Sequence, residues 1–183
     1  TMEITDKIAQ DVMKNVMKYA KILKKDPENY EARAEIMWCG SLSHNGLTGC
    51  GTCGGDWATH LIEHELGGMF DVAHGAGLAA VWGSWARYVM DEKPERFAQF
   101  AVDVMGVEES DDVKSTALKG IEAVEEFYRM IEMPTNMKEL GINPTDEQIK
   151  DMAMKATNHD TQQLGAFKKL SAKDLVEIYK TAK

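Results

Sequence analysis

Apolar residues recur at helical spacing along almost the whole chain, and residues that start or stop helices bound each run. The first run, residues 4–25, repeats apolar side chains every three or four positions and stops at Asp26-Pro27. Later runs predict helices at residues 29–47, 75–90, 95–105, 111–133, 145–156 and 172–182. Three polar residues are expected to cap helices: Asn29, Thr145 and Ser171.

A further helix is expected after Asp56, which we interpret as its N-cap. Residues 134–141 form a short helical turn in this prediction, and residues 158–167 are irregular. No stretch shows the apolar-polar alternation of a strand, and no β-α alternation is present. The predicted fold class is therefore all-α, a helical bundle of about eight or nine helices with short connections.

Three of the five histidines fall between residues 57 and 77, and their spacing predicts a metal or catalytic site. His60 and His64 are four residues apart, so they lie on one face of a helix. Gly67-Gly68 weakens the helix and permits a turn, which brings His74 back towards the other two. Neutral imidazole is a common ligand for divalent transition metals.

One interpretation of these residues is a zinc metallopeptidase, because His60, Glu63 and His64 fit the His-x-x-Glu-His string. There the two histidines bind zinc and Glu63 activates water. This class also needs a carboxylate ligand downstream, for which Glu139 lies at a tolerable distance, and usually an α/β fold. Another interpretation is a catalytically inactive helical interaction module without metal.

The whole stretch from Trp57 to Gly77 resembles the C-terminal signature of the iron-containing (group III) alcohol dehydrogenases. The match includes Gly67-Gly68 and the run from His74 to Gly77. Residues 27–38, 45–47 and 169–179 are similar to the butanol dehydrogenase branch of that family, and the resemblance is weaker between residues 91 and 160. A match of this length is more specific than the five-residue peptidase string.

The resemblance implies a site and a reaction. In that family one aspartate and three histidines hold a divalent metal, usually iron (Fe²⁺) and sometimes zinc (Zn²⁺). His60 and His74 correspond to two of these ligands. His64 corresponds to a histidine near the nicotinamide, so it is expected both to contact the cofactor and to relay a proton in catalysis. The implied reaction is hydride transfer between a small alcohol or aldehyde and NAD or NADP.

The resemblance also implies a domain organisation. Residues 1–183 are expected to form a single all-helical metal-binding and catalytic domain. Family members carry an N-terminal α/β nucleotide-binding domain before it, and that domain is absent from this chain. It would supply the missing metal ligands and most of the NAD(P) contacts. We therefore expect the chain alone to be inactive and the intact enzyme to be a homodimer.

Composition excludes several other functions. The net charge of -9 leaves no basic surface for nucleic acid. No apolar run approaches the roughly 20 residues that span a membrane. Cys50 and Cys53 form half of a structural zinc pattern, which needs four ligands, so we interpret them as an incidental loop. Three cysteines and no sign of secretion favour a cytoplasmic location.

Overall fold

A computed structural model of the chain describes residues 2–183, which contain eight α-helices. The helices are α1 Glu3–Lys25, α2 Tyr30–His44, α3 Ala58–Phe70, α4 His74–Val89, α5 Pro94–Asp103, α6 Val113–Met130, α7 Asp146–Ala156 and α8 Ala172–Ala182. Short 3-10 helices follow α2 and α4 at Leu47–Gly49 and Met90–Glu92. Within residues 2–183 the only β-type pairing is an isolated bridge between Leu164 and Leu170. The all-α prediction is confirmed.

The three predicted helix caps are present. The Asn29 side chain accepts a hydrogen bond of 3.0 Å from the Ala32 amide at the start of α2. Thr145 and Ser171 each form a reciprocal capping box with the residue three positions later. These contacts satisfy amide groups that a helix N-terminus otherwise leaves without partners. The starts of α2, α7 and α8 are therefore predictable from the sequence.

Residues 134–141 form no helix longer than one turn, but the Leu140 amide donates a hydrogen bond of 3.0 Å to the Asn136 carbonyl, which is the single helical turn expected there. The Glu139 carboxylate accepts hydrogen bonds from the amide and hydroxyl of Thr135, at 2.7 and 2.8 Å. Such local bonds compete with helix formation. Helix α6 also ends early, at Met130, because Glu132 adopts a left-handed conformation with φ 61°.

The described chain divides into two compact units. One contains the chain up to Gly55 together with Glu95–Ala123, and the other contains Asp56–Pro94 and Val124–Lys183. All the histidines of the predicted metal site belong to the second unit. That residues 1–183 act as a single catalytic domain stays a prediction.

The first unit is built on the packing of α1 against α2. Asp6 of α1 is buried and pairs with both terminal nitrogens of Arg96, at 2.5 and 2.6 Å. The guanidinium holds the pKa of the Asp6 carboxyl below its usual value. Thr5 donates a hydrogen bond of 2.8 Å to the Cys50 carbonyl, which fixes the glycine-rich loop against α1.

All three cysteines lie in the described part of the chain and are free thiols. Cys39 is buried within α2, and burial raises the pKa of its thiol. Cys50 and Cys53 are exposed in the loop after α2. The interpretation of this pair as an incidental loop stays a prediction.

The second unit packs α3 against α4 and α7, and α8 against α4 and α7. Its fully buried side chains include Ile62, Leu66, Val81, Ile149, Met152, Leu175, Ile178 and Tyr179. The Tyr179 hydroxyl of α8 donates a hydrogen bond of 2.7 Å to the Ile62 carbonyl of α3. Helix α8 therefore supports the helix that carries two of the site histidines.

Helix α4 is enclosed on several sides, as its apolar sequence predicts. Glu125 of α6 reaches its Arg87 through two hydrogen bonds, of 2.5 and 2.9 Å. Gly83 leaves the room that this carboxylate occupies. Even so, α4 is only 16 residues long, and no described helix is long and apolar enough to cross a membrane.

Replacing Tyr179 by Phe should lower the free energy of unfolding by about 1 kcal/mol, because it removes one buried hydrogen bond while keeping the ring. Chemical denaturation followed by circular dichroism measures the change. Tyr30→Phe is the matched control, since Tyr30 is 83% exposed, and it should stay within about 0.5 kcal/mol of the parent chain. Equal effects in both variants would contradict the support assigned to Tyr179.

Stability should also fall at alkaline pH because two tyrosines resist ionisation in the folded chain. A hydrogen bond to Asp174 raises the pKa of Tyr88 to about 12, and burial raises that of Tyr179. Their stabilising contribution is complete below the unfolded tyrosine pKa of about 10 and is lost as pH rises above it. When the free energy of unfolding is measured at a series of pH values, Tyr88→Phe and Tyr179→Phe should each lose less stability at alkaline pH than the parent chain. Tyr30→Phe should lose as much as the parent chain.

Candidate metal centre

Helix α3 carries His60 and His64, and Asp56 fixes where it begins. The N-cap position is Trp57, in a left-handed conformation with φ 59°, so the prediction of Asp56 as N-cap is wrong by one residue. Asp56 nevertheless accepts a hydrogen bond of 2.9 Å from the Ala58 amide. Its other oxygen accepts from the Ala166 and Phe167 amides, at 2.8 and 2.7 Å. One carboxylate thus joins the helix start to the loop after α7.

The turn between α3 and α4, which brings His74 back towards His60 and His64, lies beyond Gly67 and Gly68. Helix α3 continues through Gly67 and Gly68 to Phe70 and stops at Asp71, which has φ 53°. The expected break at the glycines is therefore wrong by three residues. Glycine weakens a helix without ending it, whereas aspartate tolerates the left-handed conformation that closes a helix. Helix α4 then begins at His74, close to the predicted position.

The three predicted histidines lie together in the second unit. The ring centroids of His60 and His74 are 5.4 Å apart, and those of His64 and His74 are 5.6 Å apart. With metal–nitrogen bonds of about 2.1 Å, two imidazoles on one tetrahedral metal place their centroids about 5 Å apart. His74 and either of the other rings thus have a spacing close to that of two ligands of one ion.

Trp57 borders this cluster. Its ring meets His60 edge to face, with centroids 4.9 Å apart, and 58% of the residue is exposed. A left-handed backbone at a bulky residue is strained, and such strain is concentrated at functional sites. Tryptophan has no preference for this conformation, so no local pattern predicts it.

Glu63 lies beneath the histidines and contacts one of them. The residue is only 1% exposed, and its Oε2 contacts His74 Nδ1. The side chain of His74 is 52% exposed, so the contact joins a buried carboxylate to an open imidazole. The signal in the sequence is indirect: Gly77 lacks the side chain that would fill the space of the Glu63 carboxylate.

These residues fit a divalent transition metal. Glu63, His64 and His74 each offer a ligand atom within 4.8 Å of the others, and His60 adds an imidazole next to His74. Imidazole and carboxylate together suit Fe²⁺ or Zn²⁺. Because Glu63 contacts His74 Nδ1, His74 has Nε2 left to bind an ion.

The other two histidines lie elsewhere. His44 is the last residue of α2, where its Nδ1 contacts Ser43 Oγ and the Gly40 carbonyl at 2.8 and 3.0 Å. His159 is exposed in the loop after α7, with φ 58°. Both were left out of the predicted site, and neither belongs to the cluster around His74.

Histidines from two successive helices lie together above a buried carboxylate in this all-α chain. A sequence model described as "Fe-containing alcohol dehydrogenase family, C-terminal" matches residues 1–183. The chain belongs to this family of iron-containing alcohol dehydrogenases and corresponds to its C-terminal region.

Similar proteins include two bacterial butanol dehydrogenases. The NADH-dependent butanol dehydrogenase A of Clostridium acetobutylicum is 31% identical over 178 residues, which cover 97% of this chain and 45% of the relative. The probable NADH-dependent butanol dehydrogenase 1 of Bacillus subtilis is 35% identical over the same coverage. The chain therefore spans less than half the length of these relatives.

Solved structures share the whole described fold. The crystal structure of NADH-dependent butanol dehydrogenase A from Thermotoga maritima superposes with a TM-score of 0.90 at 34% identity, covering 100% of this chain and 46% of the other. The Escherichia coli protein YqhD superposes with a TM-score of 0.91 at 28% identity, with the same coverage. These comparisons support the dehydrogenase interpretation and neither of its alternatives.

Replacing Asp56 by Asn should expose the start of the site helix to exchange. The asparagine side chain keeps one acceptor oxygen but loses the negative charge that holds three backbone N–H groups. The expected loss of local stability is roughly 1–3 kcal/mol. Hydrogen exchange should therefore accelerate at Ala58, Ala166 and Phe167. Asp71→Asn is the control, because asparagine also tolerates the left-handed conformation there. Unchanged protection at all three amides would contradict the role given to Asp56.

Proposed function

We propose that this chain is the helical, metal-binding part of an alcohol dehydrogenase or aldehyde reductase. The intact enzyme transfers hydride between a small alcohol or aldehyde and NAD or NADP. The observation that carries the proposal is the gathering of His60, His64 and His74 above buried Glu63, in a chain of this family. The names of the relatives, NADH-dependent butanol dehydrogenases and an NADPH-dependent aldehyde reductase, support the substrate class.

His60 and His74 are the proposed metal ligands. Their ring spacing of 5.4 Å suits one ion, and His74 is oriented by Glu63. Fe²⁺ is the expected metal and Zn²⁺ is the alternative, since imidazole suits both. A bound divalent ion supplies Lewis acidity at the substrate oxygen. Two imidazoles leave the shell incomplete, so the remaining ligands are assigned to another part of the intact enzyme.

His64 is proposed to move the hydroxyl proton and to contact the nicotinamide. It is exposed one helical turn after His60, and its ring lies 5.6 Å from that of His74. A neutral imidazole there can accept a proton from the alcohol, or return one to the aldehyde oxygen.

The rest of the intact enzyme completes the proposal. A nucleotide-binding domain elsewhere in the intact enzyme is assigned most of the NAD(P) contacts, and a homodimer is the expected assembly. Since the chain spans 45% of its butanol dehydrogenase relatives, the remainder has ample length for such a domain. The chain alone is accordingly expected to have no dehydrogenase activity.

The peptidase interpretation requires Glu63 to activate water between two zinc-bound histidines. A carboxylate that is 1% exposed and occupied by His74 Nδ1 does not reach such a water. Its downstream ligand is also lacking, because Glu139 is bonded to Thr135 in a turn. We therefore retain the dehydrogenase proposal alone.

Single histidine replacements in the intact enzyme test the assignment. His60→Ala and His74→Ala should each lose bound metal and activity together, because each removes one of few ligands. His64→Ala should keep its metal and lower kcat by about 10²–10⁴-fold, the usual contribution of an acid-base group. Metal content per protein and steady-state kinetics provide both readouts.

His159→Ala is the matched control, because it removes an exposed imidazole far from the cluster in sequence, and both readouts should stay unchanged. Full metal occupancy in His60→Ala or His74→Ala would overturn the ligand assignment. Loss of metal from His64→Ala with retention in His74→Ala would favour the peptidase ligand set instead.

A further inference from the structure

We infer that Glu63 is a positioning residue that holds the His74 ring with Nδ1–H towards the protein and Nε2 towards the metal. This inference deepens the proposed function and rests on it only for the identity of the ion. It starts from the contact between Glu63 Oε2 and His74 Nδ1. The carboxylate acts through the imidazole and touches neither substrate nor cofactor.

The burial of Glu63 shows that its carboxylate has a role in the interior. An ionised carboxylate without a partner is costly to bury, and surface charge is the usual place for glutamate. Glu63 is 1% exposed between the fully buried Ile62 and the core around Leu66. His74 satisfies it by direct contact, so the imidazole and the carboxylate stabilise one another in a fixed geometry.

Gly77 keeps the space that this contact needs. A Cβ atom at Gly77 would lie 2.6 Å from Glu63 Oε1, closer than real atoms approach. A Cβ atom at Gly67 would lie 3.4 Å from the same oxygen. At Gly75, also in the first turn of α4, a Cβ atom would meet nothing within 4 Å. The crowding is therefore specific to the carboxylate and is not a general property of this turn.

The contact also determines which nitrogen of His74 carries the proton. When Nδ1–H donates to a carboxylate, the neutral ring keeps its lone pair on Nε2, and a metal-binding histidine needs that lone pair. A carboxylate behind a ligand histidine both orients the ring and raises its basicity. Glu63 thus prepares His74 for the ion before any ion arrives.

The first test reads the His74 tautomer directly, in metal-free protein. Nitrogen-15 spectra of labelled imidazoles distinguish Nδ1–H from Nε2–H at about pH 9, well above the usual imidazole pKa of about 6.5. His74 should be protonated on Nδ1 in the parent chain and in Glu63→Gln, whose amide oxygen still accepts. It should lose that preference in Glu63→Ala. His159 should give the same spectrum in all three proteins.

A second pair of variants changes the space around the Glu63 carboxylate without replacing Glu63. Gly77→Ala leaves the carboxylate in place but fills its space, so His74 should lose the Nδ1–H preference as in Glu63→Ala. Gly75→Ala enters open space and should match the parent chain. An Nε2–H tautomer in the parent chain, or an unchanged tautomer in both Glu63→Ala and Gly77→Ala, would overturn the inference.

Metal binding to the intact enzyme completes the test. Glu63→Ala should weaken Fe²⁺ or Zn²⁺ binding by about 10–100-fold, as for other carboxylates behind ligand histidines, and Glu63→Gln should lose less. Equal, complete loss in both variants would instead make Glu63 a ligand and overturn its positioning role. If the tautomer shifts as expected but His74→Ala keeps its metal, the positioning stands and the proposed metal assignment fails.

Discussion

The histidine cluster depends on a single buried contact, that of the Glu63 carboxylate with His74 Nδ1. A carboxylate at 1% exposure is tolerated only when a partner compensates its lost hydration. The partner belongs to the next helix, so the contact joins the two elements that carry all three site histidines. Gly77 of α4 has no side chain, which leaves the room that the Glu63 carboxylate of α3 occupies.

Two further contacts stabilise helix α3, which carries Glu63. Tyr179 of α8 donates to the Ile62 carbonyl, next to Glu63, from within the core. Asp56 joins the first turn of α3 to the loop after α7. Both contacts join residues more than a hundred positions apart, so the geometry of the site relies on the second unit being folded throughout.

Local patterns predicted much of this arrangement. Helical periodicity and the caps at Asn29, Thr145 and Ser171 placed the helices, because those signals act within one turn. The spacing of His60, His64 and His74 predicted that they meet. The end of α3 was misplaced because Gly67 and Gly68 serve packing and not a break.

The remaining features are tertiary and leave no local trace. Whether Glu63 is exposed depends on where α4 and α8 pack, which periodicity in α3 does not encode. The bonds of Asp56 with Ala166 and Phe167 likewise arise only when distant segments meet. Family resemblance supplied the roles of His60, His64 and His74, yet the physical support of His74 by Glu63 emerged from the structure alone.

The central claim is that His60 and His74 bind one ion while His64 and Glu63 stand outside its ligand shell. Anomalous X-ray diffraction from crystals of the metal-bound intact enzyme tests it most directly, because it locates the ion independently of activity. If His60 and His74 are the ligands, the ion lies about 2.1 Å from a nitrogen of His60 and from Nε2 of His74. An ion bonded to His64, to Glu63, or to Nδ1 of His74 would contradict it.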